Sequence, residues 1–185
     1  MIGVTELRKG VTFELDGQIF RVLEYQHHKP GRGSATIRTK LRNLRSGTTI
    51  DRNFISGDRV QDVRLDHRTL QYLYDDGDLY YFMDTDTYEQ PAIPAKVLGE
   101  AKSYLKEGTS IDVLFHRKEP LDIELPVTVE LEVTRTQPGV RGDTATGATK
   151  AATLETGLIV QVPLFVNEGA VLRVDTRTGR YLARV

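Results

Sequence analysis

The chain has no cysteine, which excludes disulfides, thiolate metal sites and a cysteine nucleophile and fits a reducing cytoplasm. It has no Gly/Ser-rich or low-complexity stretch, so its domains should abut without flexible linkers. The first residues, Met1 to Gly10, lack the apolar segment of a secretion signal, and no apolar run approaches the roughly 18 residues that span a bilayer. A cytoplasmic protein without membrane contact is expected. Helical periodicity is nearly absent too. Short alternating runs rich in Val, Ile, Thr, Leu and Tyr recur between turn residues instead, the pattern of meanders and small barrels.

What is present points to an all-β globular protein. Of 185 residues, 39% are hydrophobic and 28% charged, enough apolar surface to offset chain entropy without metal or membrane. Three barrels of about 60 residues fit this length. Strands are predicted over 18–25, 35–44, 48–54, 60–66, 69–74, 79–83, 111–116, 121–125, 127–135, 158–165, 171–175 and 180–184. Asp76-Gly77 and Thr178-Gly179 supply positive-φ positions for two hairpins. Short helices are expected only at Tyr88–Gln90 and Ala95–Lys106, the latter broken by Gly99.

The net charge of −1 conceals an uneven distribution. Residues 1–63 carry eleven basic against seven acidic side chains, a balance of +4; residues 64–126 carry seven against thirteen, −6; residues 127–185 carry seven against six, +1. Basic character ends near Val63, and Leu125-Pro126 separates two strand-like runs, which places domain boundaries at 1–63, 64–126 and 127–185. Size scaling gives each piece a diameter of roughly 25–27 Å, so three in a row would form an elongated body of about 75–80 Å, the long dimension of a transfer RNA.

The densest signal lies between Arg21 and Arg45, where Arg21, Lys29, Arg32, Arg38, Lys40, Arg42 and Arg45 face only Glu24 as an acid. On the predicted strand 35–44, Arg38, Lys40 and Arg42 share one face, suited to phosphates, and Ile37, Thr39 and Leu41 share the other. Between two strands, His28-Lys29-Pro30-Gly31-Arg32-Gly33-Ser34 should protrude as a loop, with Pro30 stiffening its first part and Gly31 and Gly33 letting the backbone turn so that Arg32 stands at the tip. A solvated basic hairpin with no partner is the plain alternative.

Other constellations fall short. His27-His28 are adjacent strand residues that point to opposite faces, with no cysteine or carboxylate cluster to complete a metal site. Asp84, Asp86 and Glu89 imitate the start of a calcium loop, but Glu89 stands where its glycine belongs and Ala95 where its bidentate Glu belongs. Gly31-Arg32-Gly33 lacks the Lys-Ser/Thr ending of a phosphate loop. Tyr72, Tyr74, Tyr80, Tyr81 and Phe82 either stack bases or divide between barrel core and domain interface. Arg141-Gly142-Asp143 spells an adhesion tripeptide, too short to carry that reading in a chain without secretory features.

Lys29-Pro30-Gly31-Arg32-Gly33 resembles the tip loop of the bacterial elongation factor P family, in which an apical Lys or Arg points toward the acceptor end of peptidyl-tRNA. The run from Lys150 to Val166 is similar to the family's C-terminal signature, and Pro138-Gly139-Val140-Arg141-Gly142-Asp143-Thr144 and the ending from Val174 to Tyr181 resemble it as well. Four matches in order over the whole chain identify it as a member.

The resemblance implies an N-terminal SH3-like, KOW-like barrel followed by two OB-type barrels, and a binding factor rather than an enzyme, with no cofactor. It implies a monomer that meets both ribosomal subunits, peptidyl-tRNA and mRNA in the exit site, and that relieves stalling at polyproline. By the same resemblance Arg32 is the acceptor-end contact, Lys29, Pro30, Gly31, Gly33 and Ser34 form the tip loop, and Gly142, Asp143 and Thr144 approach the codon, while Arg38, Lys40 and Arg42 are the phosphate-binding candidates that the strand period gives. The apical residue is modified in much of the family, Lys by a β-lysyl-type extension and some Arg forms by rhamnose, which makes a modifying enzyme acting on Arg32 a further partner. Gly33-Ser34 resembles the Lys-type loop, and an unmodified guanidinium also pairs with phosphate or stacks on a base. The rival readings are a generic OB-fold single-strand-binding protein, an enzyme acting on RNA or sugar, for which no convergent acid–base group is found, and a paralogue with another ribosomal duty.

Overall fold

Apolar residues at the strand period pair up as that period predicts. The computed structural model describes residues 1–139 and 147–185, and their architecture is all-β. A first sheet holds β1 (Ile2–Gly3), β2 (Thr12–Leu15), β3 (Gln18–His28), β4 (Thr36–Asn43), β5 (Thr49–Ile55) and β6 (Arg59–Asp62), in the order β1-β6-β2-β3-β4-β5. Val4, Leu7, Phe13, Phe20, Val22, Ile37, Leu41, Phe54 and Val60 form its core.

The second sheet comprises β7 (Asp66–Asp75), β8 (Leu79–Asp84), β9 (Ala92–Pro94), β10 (Ser110–His116) and β11 (Glu119–Glu124), ordered β11-β10-β7-β8-β9. Between β9 and β10 run the short helix α1 (Ala95–Leu98) and a 3-10 turn over Gly99–Tyr104, broken at Gly99 with φ of 53°. The third sheet contains β12 (Thr128–Thr136), β13 (Thr149–Leu154), β14 (Ile159–Pro163), β15 (Val171–Asp175) and β16 (Arg180–Arg184), ordered β14-β13-β12-β15-β16. Its core is built from Val129, Leu131, Val133, Leu154, Val160, Val162, Leu172 and Val174, and Tyr104 from the 3-10 turn joins it.

Contacts gather the chain into two compact units, Met1–His67 with Leu114–Asp122, and Arg68–Val113 with Ile123–Val185. Among the described residues no helix is long and apolar enough to cross a membrane.

Several elements depart from the sequence prediction. The predicted strand 60–66 is two strands, because β6 ends at Asp62 and β7 begins at Asp66. Tyr88–Gln90 is not helical. Tyr88 takes φ of 61°, its N–H donates to the Asp84 carbonyl and the Asp84 N–H donates to the Glu89 carbonyl, so the segment closes a tight turn after β8. The sequence pattern does not predict β1, β2, β9 or β13. The first three are two to four residues long, and β13 reads Thr-Lys-Ala-Ala-Thr-Leu, poor in strand formers. Pairing with neighbouring strands, not local preference, makes them strands.

Three turns rest on carboxylates that accept backbone N–H groups. Asp76 Oδ1 accepts from Asp78 (3.0 Å) and Leu79 (2.8 Å), and Asp84 Oδ1 from Asp86 (2.8 Å) and Thr87 (3.1 Å). Asp175 accepts from the Arg177 guanidinium (2.9 Å) and from the Arg177 N–H (2.8 Å). Hydrogen bonds from the Leu79, Asp86 and Arg177 donors hold these three acids below the usual carboxylate range. A carboxylate whose pKa is lowered by folding adds stability above its unfolded value, and that stability is lost as pH falls through the folded value. Thermal melts should therefore give a level midpoint from about pH 7 to 5 and a falling one below about pH 4. A midpoint that rises on acidification would contradict these turn assignments.

Candidate nucleic-acid interface

The β3–β4 ribbon carries the basic segment. Its register runs from Phe20↔Asn43 to His28↔Thr36, with an irregularity between Val22 and Glu24, and β5 flanks β4 from Thr36↔Ile55 to Arg42↔Thr49. On β4, Ile37 and Leu41 are fully buried and Thr39 nearly so, while Arg38 and Arg42 are exposed and Lys40 half-buried, the division that the period-two rule predicts. Beyond the His28↔Thr36 pair, Lys29, Pro30, Gly31, Arg32, Gly33 and Ser34 are all exposed. The loop bends at Gly33, whose φ of 103° disfavours any side chain. Gly31 has no left-handed φ, and a methyl group added at its Cα would meet only open space, so the turn requires just one of the two glycines.

Three of the seven basic side chains in this segment are engaged. Arg21 pairs with Asp122 at 2.6 Å, Lys40 with Glu24 at 3.1 Å, and Arg45 with Glu119 at 3.0 Å. Lys29, Arg32, Arg38 and Arg42 form no ion pair among the described residues. The cross-strand rows on the outer face explain the difference. Arg38 stands between Gln26 and Asn53, Lys40 between Glu24 and Asp51, and Arg42 between Arg21 and Thr49. The strand thus presents arginine, a row in which two acids flank one lysine, then arginine again, the two arginine Cα positions about 13 Å apart along the strand. Exposed guanidiniums of this kind can donate to phosphate oxygens, and one more stands at the tip.

The partners of Arg21 and Arg45 lie 101 and 74 residues away along the chain, so no local pattern reveals them. Arg8 is another side chain that the sequence does not single out. Its Nη1 donates to the carbonyls of Thr5 (2.9 Å) and Leu7 (2.6 Å), and its guanidinium lies over the Tyr25 ring at 5.1 Å.

The remaining flagged residues separate by burial. His27 and His28 are exposed at the end of β3, and among the described residues no group of three or more side chains is placed to hold a metal. Tyr72 and Phe82 belong to the buried interior, whereas Tyr74 is exposed and stacks on Tyr81 at 4.7 Å. The Tyr72 hydroxyl donates to Asp75 at 2.6 Å, and burial pushes its pKa up. Gly142, Asp143 and Thr144 lie outside the described residues. The strands that frame them are tied by the Thr136 hydroxyl donating to the Ala151 carbonyl (3.0 Å) and by Lys150 Nζ donating to the Gln137 carbonyl (2.7 Å).

With this geometry, likeness to known proteins becomes informative. A protein named Elongation factor P from Acetivibrio thermocellus is 52% identical over 185 residues, with both chains covered in full. The chain belongs to the elongation factor P family. A second relative of that name, from Moorella thermoacetica, is 51% identical over 184 residues, again with both chains covered in full. Three profiles of the elongation factor P family match in turn: the KOW-like domain at residues 3–60, the OB domain at 65–123 and the C-terminal domain at 129–184. The first sheet is therefore the family's KOW-like barrel and the second its OB domain.

Among solved structures, a eukaryotic translation initiation factor 5A from Methanococcus jannaschii aligns with a TM-score of 0.54 at 22% identity, over 68% of this chain and 90% of that one. A translation initiation factor eif-5a family protein from Naegleria fowleri aligns with a TM-score of 0.53 at 12% identity, over 67% and 96%. At that identity the likeness is one of fold. Membership of the elongation factor P family, at half identity over the full length, marks the protein as a translation elongation factor.

Proposed function

We propose that this factor binds the ribosome between the peptidyl and exit sites and speeds slow peptide bonds, above all those between prolines. One observation carries the reading: Arg32 stands exposed at the tip of a ribbon whose base is packed into a barrel core, and it forms no ion pair among the described residues. A cation presented this way is positioned to meet an anionic partner outside the protein.

In this reading Arg32 contacts the acceptor end of peptidyl-tRNA, and Arg38 and Arg42 hold phosphates of its acceptor arm. Lys40 contributes less, since Glu24 already neutralises it. The ribosome performs the chemistry and the factor performs none. Proline is a constrained secondary amine whose ring disfavours reactive alignment, so holding the tRNA end lowers the entropic part of the barrier. A tenfold gain in rate needs only about 1.4 kcal/mol. The domains act as 1–63 on the acceptor arm, 64–126 on ribosomal proteins through its acidic surface, and 127–185 toward the anticodon arm and mRNA, with Gly142, Asp143 and Thr144 at the codon. The protein works in the cytoplasm as a monomer, and an enzyme that extends Arg32 would add to the same contact.

Toeprinting on a template encoding consecutive prolines tests the proposal. Adding the factor should remove the stall signal at the proline codons and leave stalls of other origin in place. An unchanged proline stall, at factor concentrations that saturate the ribosome, would reject it.

A further inference from the structure

The base of the basic ribbon is occupied by acids of the protein itself. β10 and β11 join through the two-residue turn Arg117-Lys118, and the segment Leu114–Asp122 belongs to the same compact unit as the first sheet. Leu121 packs with Ile19 and Leu44, with Val63 and Leu65 beside them. That apolar contact brings Glu119 and Asp122 onto Arg45 and Arg21. Glu119 takes Arg45 in the forked geometry, Nε donating to Oε1 at 3.0 Å and Nη2 to Oε2 at 3.1 Å, while Arg45 Nη1 donates to the Gly17 carbonyl at 3.1 Å. Asp122 Oδ2 accepts from Arg21 Nη1 at 2.6 Å.

A forked guanidinium–carboxylate pair uses the same two parallel donors that a phosphate would take. Arg21 is the cross-strand neighbour of Arg42, so without the acids the cationic row Arg32, Arg38, Arg42 would continue through Arg21 to Arg45. Partly exposed ion pairs add little to stability, and the four side chains here keep 25%, 28%, 37% and 46% of their surface open to water. The Leu121 contact supplies a reason for the hairpin to dock, but it gives no reason for two acids to meet two arginines.

We infer that Glu119 and Asp122 are specificity determinants, which occupy Arg45 and Arg21 in place of RNA phosphates and so end the phosphate-binding track at Arg42. The inference rests on the reading of Arg38 and Arg42 as phosphate contacts. Each added phosphate contact strengthens sequence-independent binding, so a track lengthened by Arg21 and Arg45 would hold free single strands more tightly than one that ends at Arg42. The acids confine the factor to its assembled target.

The test is the salt dependence of binding to a labelled oligouridylate. Each phosphate contact on a single strand adds about 0.7 to the slope of log affinity against log salt concentration. The isosteric pair Glu119→Gln with Asp122→Asn should steepen the slope by about 1.4 and tighten binding about 25-fold at 0.1 M salt. Glu119→Gln alone should give about half that slope change, which keeps the test available should the double variant fail to fold. Adding Arg21→Gln and Arg45→Gln to the double variant should abolish the gain. An unchanged slope overturns the inference, and so does a gain that survives loss of both arginines, which would mean that the acids act only through the net charge. Arg38→Gln with Arg42→Gln reports separately on the track itself: a shallower slope there supports it, and no change rejects the track whatever the acids do.

Discussion

Replacing Arg32 by alanine should slow synthesis through three consecutive prolines by about tenfold or more, close to the rate without the factor, and leave a proline-free template untouched. The expectation follows from where the side chain stands. Arg32 is exposed, and no ion pair to it occurs among the described residues, so its removal takes little from the fold. Circular dichroism and the melting midpoint should match the parent. A selective loss with an intact fold separates a guanidinium that acts on an outside partner from one that supports the loop. Equal rates for mutant and parent on both templates would falsify the role given to the tip. Arg32→Lys should restore part of the rate, because the charge returns without the planar fork of donors.

The second large effect concerns the platform under the tip. Phe13→Ala should lower the free energy of unfolding by about 3–5 kcal/mol, read from urea titrations with an unchanged slope. Phe13 is fully buried, with its ring centroid 6.2 Å from those of both Phe20 and Phe54. Phe20 opens the pairing of β3 with β4, and Phe54 lies on β5 across from Ile37 of β4. One ring on β2 therefore fastens the ribbon to the barrel, and a void there would loosen the base from which Arg32 projects. Set against a typical domain stability of about 5–15 kcal/mol, the loss is large enough to appear as lowered cellular abundance. A cost below about 1 kcal/mol would mean that the neighbouring rings close over the gap.

Much of this is legible along the chain. The inward and outward faces of β4, the hairpins at Asp76-Gly77 and Thr178-Gly179 and the break of helix at Gly99 follow from periodicity and from residues that tolerate positive φ, both local properties. Tyr88–Gln90 departs from expectation for a related reason. A preference for helix over three residues is weak, and the Asp84 carboxylate and backbone impose a turn instead. β1 and β2 leave no local signal because strands so short exist only through their partners: Ile2 and Gly3 pair with Val60 and Arg59, and Phe13 and Glu14 with Asp62 and Gln61.

What the amino-acid order determined by itself is the all-β class, the membership of the elongation factor P family and the presence of a basic ribbon with a glycine-turned tip. What only the tertiary structure decided is which of those charges remain available. Seven cations read alike in the sequence, yet Arg21 and Arg45 are taken by acids more than seventy residues away, Lys40 is taken across the ladder, and Lys29, Arg32, Arg38 and Arg42 are left without an ion pair among the described residues. Strand faces are set by the two-residue repeat of the backbone, which any short window contains. The fate of a charge is set by its neighbours in space, which exist only once the chain has closed on itself.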